Sequence, residues 1–149
     1  MPHRQRKDFF LRSPPDAQSK GVEVMAKKRC FSSNVVESDA FLDLPYKAQT
    51  LYFHLCMYGD DDGFVANPMS VARSIKLKSD KELSLLTDAG FIIRFSSGVI
   101  VVSDWWENNN LQNDRYSPTV YQDEFANLLP IDHAKKSGLK RYRLKTGTE

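Results

Sequence analysis

The chain has 149 residues, of which 41% are hydrophobic and 27% charged, which is the composition of a globular protein with one domain. No uncharged apolar run approaches the roughly 18 to 20 residues of a membrane span, and the N-terminus lacks a secretory signal. We therefore expect a cytoplasmic protein with no membrane partner. Its two cysteines form no CxxC pair and its three histidines are scattered, so the sequence predicts neither a metal site nor a cofactor.

The positive charge lies at the two ends of the chain. Residues 1–24 carry five basic and three acidic groups, and residues 131–149 carry six and two. Residues 25–130 are therefore mildly acidic, since the whole chain has a net charge of +2. A basic C-terminus suits contact with nucleic acid, because lysine and arginine release counterions from phosphates, but a solvated tail explains it equally well. Its cations are Lys135, Lys136, Lys140, Arg141, Arg143 and Lys145.

Composition also sets the domain boundaries. Residues 1–24 are polar and are interrupted by Ser13-Pro14-Pro15-Asp16, so we expect a poorly ordered arm. The codons of the residues just before Met25 can be written as a purine-rich ribosome-binding site, and residues 1–24 are then an untranslated leader. The sequence leaves open whether Met1 or Met25 is the start. We predict one domain over residues 25–130 and a flexible basic tail over residues 131–149.

Three helices and a short strand are predicted first. Apolar residues at spacings of three and four indicate a helix from Leu44 to Tyr58, and Gly63–Ala66 suits a short extended segment. Asn67 before Pro68 begins a second helix that runs to about Ile75. A third helix is predicted from Ser79 to Ala89, with Ser79 and Glu82 as a capping box and Gly90 as its stop.

A hairpin and a last helix follow. The runs Phe91–Phe95 and Val99–Val102 are rich in β-branched and aromatic residues, and Ser96-Ser97-Gly98 joins them in a tight turn. Trp105 and Trp106 come at the base of this hairpin, where we expect one indole buried and the other half exposed. Ser117-Pro118 predicts a last helix that ends near Leu129.

This order of elements is that of a winged helix-turn-helix, an α+β fold, here with an additional C-terminal helix. In that fold the third helix enters the major groove of DNA and the hairpin reaches an adjacent groove or the backbone. Asp80, Lys81, Ser84 and Asp88 then occupy the outward face of the third helix. Its carboxylates repel phosphates unless they point at bases. The candidate DNA-binding residues are Arg73, Lys76, Lys78, Lys81, Ser84 and Arg94.

Several polar motifs also resemble a known family. They are Met25-Ala26-Lys27-Lys28-Arg29-Cys30-Phe31-Ser32, Phe41-Leu42-Asp43-Leu44-Pro45, Ala48-Gln49-Thr50-Leu51-Tyr52-Phe53-His54-Leu55, Asp60-Asp61-Asp62-Gly63-Phe64-Val65 and Asn113-Asp114-Arg115-Tyr116-Ser117-Pro118-Thr119-Val120-Tyr121-Gln122. Together they resemble the N-terminal domain of phage replisome organisers and replication-initiation proteins of low-GC Gram-positive bacteria and their prophages. The resemblance covers roughly residues 25 to 125.

The resemblance implies a DnaD-like winged-helix domain that recognises a replication origin in double-stranded DNA and recruits a helicase loader or the replicative helicase, without catalysis. Two alternatives remain open. The first is that the domain serves as a protein-interaction module or a transcriptional regulator. The second is that the chain is a truncated prophage remnant, since many proteins of this family carry a further C-terminal domain. Self-association also stays open.

Three further motifs have competing interpretations. The run Asp60-Asp61-Asp62 suggests a metal site or a metal-dependent nuclease. Its spacing does not fit a calcium loop, and a nuclease needs further carboxylates and a lysine at the same point. We expect instead a solvated turn whose carboxylates cap the next strand. Arg115 either pairs with Asp104 or Asp114 or touches phosphate, and we expect the structural role. Cys56 is predicted to lie in the core and Cys30 at the surface. No set of residues predicts an enzyme.

Overall fold

A computed structural model describes residues 28–109, 115–133 and 140–145. The predicted N-terminal arm, Asp114, Lys135 and Lys136 lie outside these ranges. The described part is a mixed α+β structure with a small antiparallel sheet, and no helix in it is both long and apolar enough to cross a bilayer. Its elements are α1 Ser33–Val36, α2 Asp39–Leu42, α3 Tyr46–Tyr58, β1 Phe64–Val65, α4 Pro68–Ser74, α5 Lys81–Asp88, β2 Ile92–Arg94, β3 Ile100–Val102, α6 Trp105–Asn108 and α7 Gln122–Phe125.

The sheet has the strand order β1-β3-β2, with both pairs antiparallel. Ile93 lies opposite Val101, which in turn lies opposite Phe64 on β1. The predicted hairpin is confirmed, and Gly98 supplies the positive φ of +91° in its turn. Because side chains alternate along a strand, these three residues share one face of the sheet and Arg94 lies on the other.

The core lies between α3, α5 and the sheet. Leu51 and Leu55 of α3 and Leu83 and Leu86 of α5 are fully buried, as the helical spacing of the sequence predicts. Phe41 of α2 closes one end of the core with its ring edge-on to neighbouring aromatic rings. The three-helix and hairpin part of the prediction is therefore confirmed at the level of its elements.

The starts of two helices differ from the prediction. The first long helix begins at Tyr46, because Pro45 is its extended N-cap residue. Helix α5 begins at Lys81, with Asp80 at the N-cap, and the predicted capping box does not form. Instead, Ser79 Oγ accepts a hydrogen bond from the Lys81 N–H at 3.3 Å, which makes a local turn ahead of the helix.

Helices α4 and α5 end in the same backbone motif with different residues. After α5, Gly90 has a φ of +85°, and the N–H of Phe91 donates to the Leu86 carbonyl. After α4, the equivalent left-handed position is Lys76, with a φ of +70°, and the N–H of Leu77 donates to the Ala72 carbonyl. The short connection from α4 to α5 is therefore made with a lysine in a conformation that favours glycine.

The predicted last helix from Ser117 to about Leu129 is wrong at both ends, since only Gln122–Phe125 is helical. The N–H groups of Ser117 and Thr119 donate to Asp61 and Asp62 at 2.9 and 2.8 Å. These backbone donors are held by carboxylates of a distant turn, and the segment before Gln122 is irregular, with a bend at Val120.

The prediction of a flexible tail fails for residues 140–145, which pack against the body. Tyr142 is 3% exposed, and its N–H donates to the Ser103 carbonyl at 2.9 Å. Arg141 pairs with the buried Asp104 at 3.1 Å. Leu144 forms an antiparallel bridge with Leu128. Part of the C-terminal charge thus belongs to the folded domain.

Candidate nucleic-acid interface

Four of the candidate cations follow the connection from α4 to α5. Arg73 lies in the last turn of α4, Lys76 is its left-handed end, Lys78 follows, and Lys81 is the first residue of α5. All four side chains are exposed. The sequence places these cations together because the connection between the two helices is short.

The outward face of α5 continues from this connection. Lys81, Ser84 and Asp88 recur at helical spacing, with Lys81 and Asp88 exposed and Ser84 half-buried. The opposite face of the helix is buried through Leu83 and Leu86. The described part of the chain therefore leaves this face of α5 open to solvent.

Arg94 connects the hairpin to the start of α5. Its Nη1 atom lies 3.7 Å from Oδ2 of Asp80, the N-cap residue of that helix, and the two side chains are 36% and 59% exposed. An ion pair this long and exposed contributes little to stability. It does show that the Arg94 side chain and the N-terminus of α5 lie on the same side of the molecule.

The C-terminal segment covers the other face of the sheet. The Phe64 ring contacts the rings of Tyr121, Phe125 and Tyr142, at centroid distances of 6.2, 6.1 and 6.3 Å. Since Phe64 and Arg94 point to opposite faces, these ring contacts lie on the face away from the Asp80–Arg94 contact, while residues 141–144 extend to the β2 edge. Helix α7 contacts the hairpin near its turn, where Ser97 Oγ donates to Glu124 Oε2 at 2.7 Å.

The Asp60-Asp61-Asp62 run is a structural anchor, and the expectation of a solvated turn is wrong. Asp62 is 2% exposed and accepts hydrogen bonds from the Tyr116 hydroxyl at 2.7 Å and the Thr119 N–H at 2.8 Å. Burial raises the pKa of the Asp62 carboxyl, and these two hydrogen bonds oppose the shift. Asp60 does cap the next strand, as predicted, by accepting from the Phe64 N–H at 2.9 Å.

Arg115 does not pair with Asp104, one of its two predicted partners, and the other, Asp114, lies outside the described residues. Asp104 pairs instead with Arg141, whose guanidinium also donates to the Gly90 carbonyl at 2.7 Å. No local pattern predicts this pairing, because Arg141 reaches Asp104 through the packing of residues 140–145. Burial raises the pKa of Asp104, and the nearby Arg141 charge counteracts it.

The indoles at the base of the hairpin behave as expected. Trp105 is fully buried, donates from Nε1 to the Asp61 carbonyl at 3.0 Å and lies against the Arg29 guanidinium, 4.7 Å from its ring centre. Trp106 is half-buried and donates to the Tyr142 hydroxyl at 2.8 Å. Neither ring is a free stacking platform for bases. The predictions for the buried Cys56 and the exposed Cys30 are also confirmed.

Comparisons of the chain with protein-family models, with curated proteins and with solved structures find no match. Within the ranges that the structure describes, no three His, Cys, Asp or Glu side chains are grouped to hold a metal ion. The candidate site is therefore defined by its own geometry, an exposed helix face with cations at its N-terminal end.

Proposed function

We propose that this chain is a winged-helix protein that binds double-stranded DNA, without catalysis, in phage or prophage replication initiation. The observation that carries the proposal is the contact between Arg94 and Asp80. It puts a hairpin cation beside the N-terminus of α5, whose outward face is uncovered. Cations of the α4–α5 connection and of the hairpin thus gather at the N-terminal end of one exposed helix, where they are placed to contact the phosphates of a duplex.

In this model α5 lies in the major groove and the cations position it. Lys78, Lys81 and Arg94 contact phosphates near the N-terminal end of α5, where all three lie. Arg94 exchanges Asp80 for a phosphate at little cost, because the pair is long and exposed. Phosphate contacts of this kind set the register of the helix but carry no sequence information.

Base recognition falls to the centre of the helix face. Ser84 lies one turn after Lys81, where a hydroxyl reaches base edges as donor or acceptor. Asp88 follows one turn later and accepts from the amino group of cytosine. The carboxylates at the two ends of the face disfavour a purely electrostatic association, so we expect selective binding.

The replication role rests on the family resemblance of the sequence. A domain that recognises origin DNA in this way brings a helicase loader or the replicative helicase to its site. We place the protein in the cytoplasm on the same basis.

The proposal is tested by the salt dependence of DNA binding. Fragments of the parent genome are selected at two salt concentrations, and the bound sequence is then titrated. The double substitution of Lys78→Ala and Lys81→Ala should lower the slope of log K against log salt by about 0.9 for each lysine. Lys47→Ala, which removes an exposed lysine from α3, is the matched control. An unchanged slope in the double variant contradicts the proposal.

A second candidate function, a protein-docking module, is favoured by a different surface. Leu42 and Tyr46, where α2 leads into α3, are 52% and 86% exposed. Exposed apolar side chains suit a protein partner better than a phosphate backbone. In this case DNA binding depends on the basic tail. The discriminating variant is Lys135→Ala with Lys136→Ala, since a deletion of residues 131–149 would also remove the packed segment 140–145. Loss of all DNA binding in that variant favours the docking module.

A further inference from the structure

Strand β2 is an edge of the sheet, and its outer side carries free main-chain groups. The N–H of Phe95 donates to the Val99 carbonyl, and the N–H of Ser103 donates to the Phe91 carbonyl. In an antiparallel pair, bonded residues alternate, so Phe91, Ile93 and Phe95 face β3. The N–H and C=O groups of Ile92 and Arg94 therefore point away from the sheet, and no described residue bonds to them.

A groove of about 390 Å³ runs along this edge. One wall is β2 with Ile93 and Arg94, and the other is the C-terminal segment with Arg143 and Leu144. The second wall is held in place by hydrogen bonds, since the Leu129 N–H donates to the Arg143 carbonyl at 2.8 Å. Leu144 is 39% exposed and Ile93 is half-buried, so both walls offer apolar side chains.

The charge of the groove is positive. Arg94, Arg141 and Arg143 line it, and none of its other described lining residues is a carboxylate. Arg141 is already bonded to Asp104 and to the Gly90 carbonyl, and it fixes the end of the groove. Arg143 is exposed, and Arg94 has only its long contact with Asp80. Two cations therefore remain available for a ligand.

We propose that this groove binds an extended acidic peptide, which adds to β2 as a further strand. The outward N–H and C=O groups of Ile92 and Arg94 supply the main-chain hydrogen bonds of strand addition. Ile93 and Leu144 contact apolar side chains of the peptide. Arg94 and Arg143 select acidic side chains, because a basic peptide would place like charges together.

A peptide fits these groups better than a nucleic acid does. The free carbonyls of Ile92 and Arg94 need donors, which a peptide backbone has and a phosphate backbone lacks. The apolar walls likewise match alternating apolar side chains of a strand. Binding of an oligonucleotide in the groove is therefore the competing outcome of the test.

The probe is a labelled peptide of about eight residues that alternates glutamate and valine, a length typical of a strand. Its affinity for the full chain is measured by fluorescence anisotropy, and the amide signals of Ile92 and Arg94 are followed by NMR. The counterparts are a lysine–valine peptide and a glutamate–valine peptide methylated on alternate backbone nitrogens. We expect binding and shifted amides only with the unmethylated acidic peptide.

Substitutions separate the roles of charge and main chain. Arg143→Glu should weaken peptide binding about tenfold, since it reverses a charge at the groove. Arg94→Pro removes the outward N–H without touching the β3 ladder and should weaken binding more than Arg94→Thr, which removes the same charge. Arg73→Glu, on α4 and outside the groove, should have no effect.

The proposal is overturned by any of three results. They are no binding of the acidic peptide at about 1 mM, equal binding of the lysine or methylated peptide, and shifts at Ile92 and Arg94 caused by an oligonucleotide instead. If Arg94→Pro is unfolded by circular dichroism, the methylated peptide decides the main-chain question. The double variant at Lys78 and Lys81 should keep peptide binding, so loss of DNA binding and loss of peptide binding are distinguished.

Discussion

Lys76 offers a test in which folding stability and DNA affinity move in opposite directions. Its φ of +70° places a residue with a Cβ atom in the left-handed region at the end of α4. The same position after α5 is Gly90, which shows that the motif does not itself require a side chain. Lys76→Gly should therefore relieve strain while removing an exposed cation from the proposed interface.

The two effects have predictable sizes. The left-handed conformation costs a residue other than glycine about 1 to 2 kcal/mol, and glycine loses about 0.5 to 1 kcal/mol more backbone entropy on folding. The net gain is about 0.5 to 1 kcal/mol, or about 1 to 4 °C in Tm for a chain of this size. Loss of one phosphate contact at about 0.15 M salt should weaken DNA binding about fivefold.

Thermal unfolding and anisotropy titration with the selected DNA measure the two quantities. Lys76→Ala is the matched control, because it removes the charge and keeps the left-handed strain. It should lose the same affinity without gaining stability. A Lys76→Gly protein that is less stable than the parent would refute the strain argument, and one that binds DNA equally well would remove Lys76 from the interface.

Three further predictions concern the turn before β1 and the thiols. In Gly63→Ala the new Cβ would lie 2.6 Å from a buried indole. We expect this variant to lose about 2 to 5 kcal/mol of unfolding free energy, measured by urea denaturation. Gly98→Ala, at a residue with the same φ of +91° but open space around it, should lose only about 1 to 2 kcal/mol. Because burial raises the pKa of Asp62 above 3.8, its ionisation costs folding stability. The stability of the parent relative to Asp62→Asn should therefore rise as the pH falls from about 7 towards 4, and an opposite slope contradicts the burial argument. Burial also raises the pKa of Cys56 to about 12, so a thiol reagent should label Cys30 alone until the chain is denatured.

The elements that the sequence predicted well carry their signals locally. Asn67 caps α4 by accepting from the Ser70 N–H at 3.1 Å, and Pro68 follows it. Gly90 and Gly98 both adopt the positive φ that their positions after a helix and in a hairpin suggest. Each of these features depends on residues only a few positions apart. The local sequence is therefore enough to predict them.

The errors arise from contacts between distant parts of the chain. Thr119 binds Asp60 at 2.6 Å through its hydroxyl and Asp62 through its N–H, and these contacts fix an irregular segment where Pro118 marks a helix start locally. The pairing of Arg141 with Asp104 likewise depends on tertiary packing. The six candidate DNA-binding residues could be selected from their spacing, but the nearness of Arg94 to Asp80 needed the structure.

The anchoring of the C-terminal segment has a consequence for synthesis on the ribosome. The Tyr142 hydroxyl donates to the Asp62 carbonyl at 2.8 Å, and the Tyr142 ring contacts that of Phe64. At about 5 to 20 residues per second, the ribosome needs about 4 to 16 s to extend the chain from Phe64 to Tyr142. During that interval the nascent sheet exposes an aromatic surface, and the domain reaches its final form only after Tyr142 has emerged.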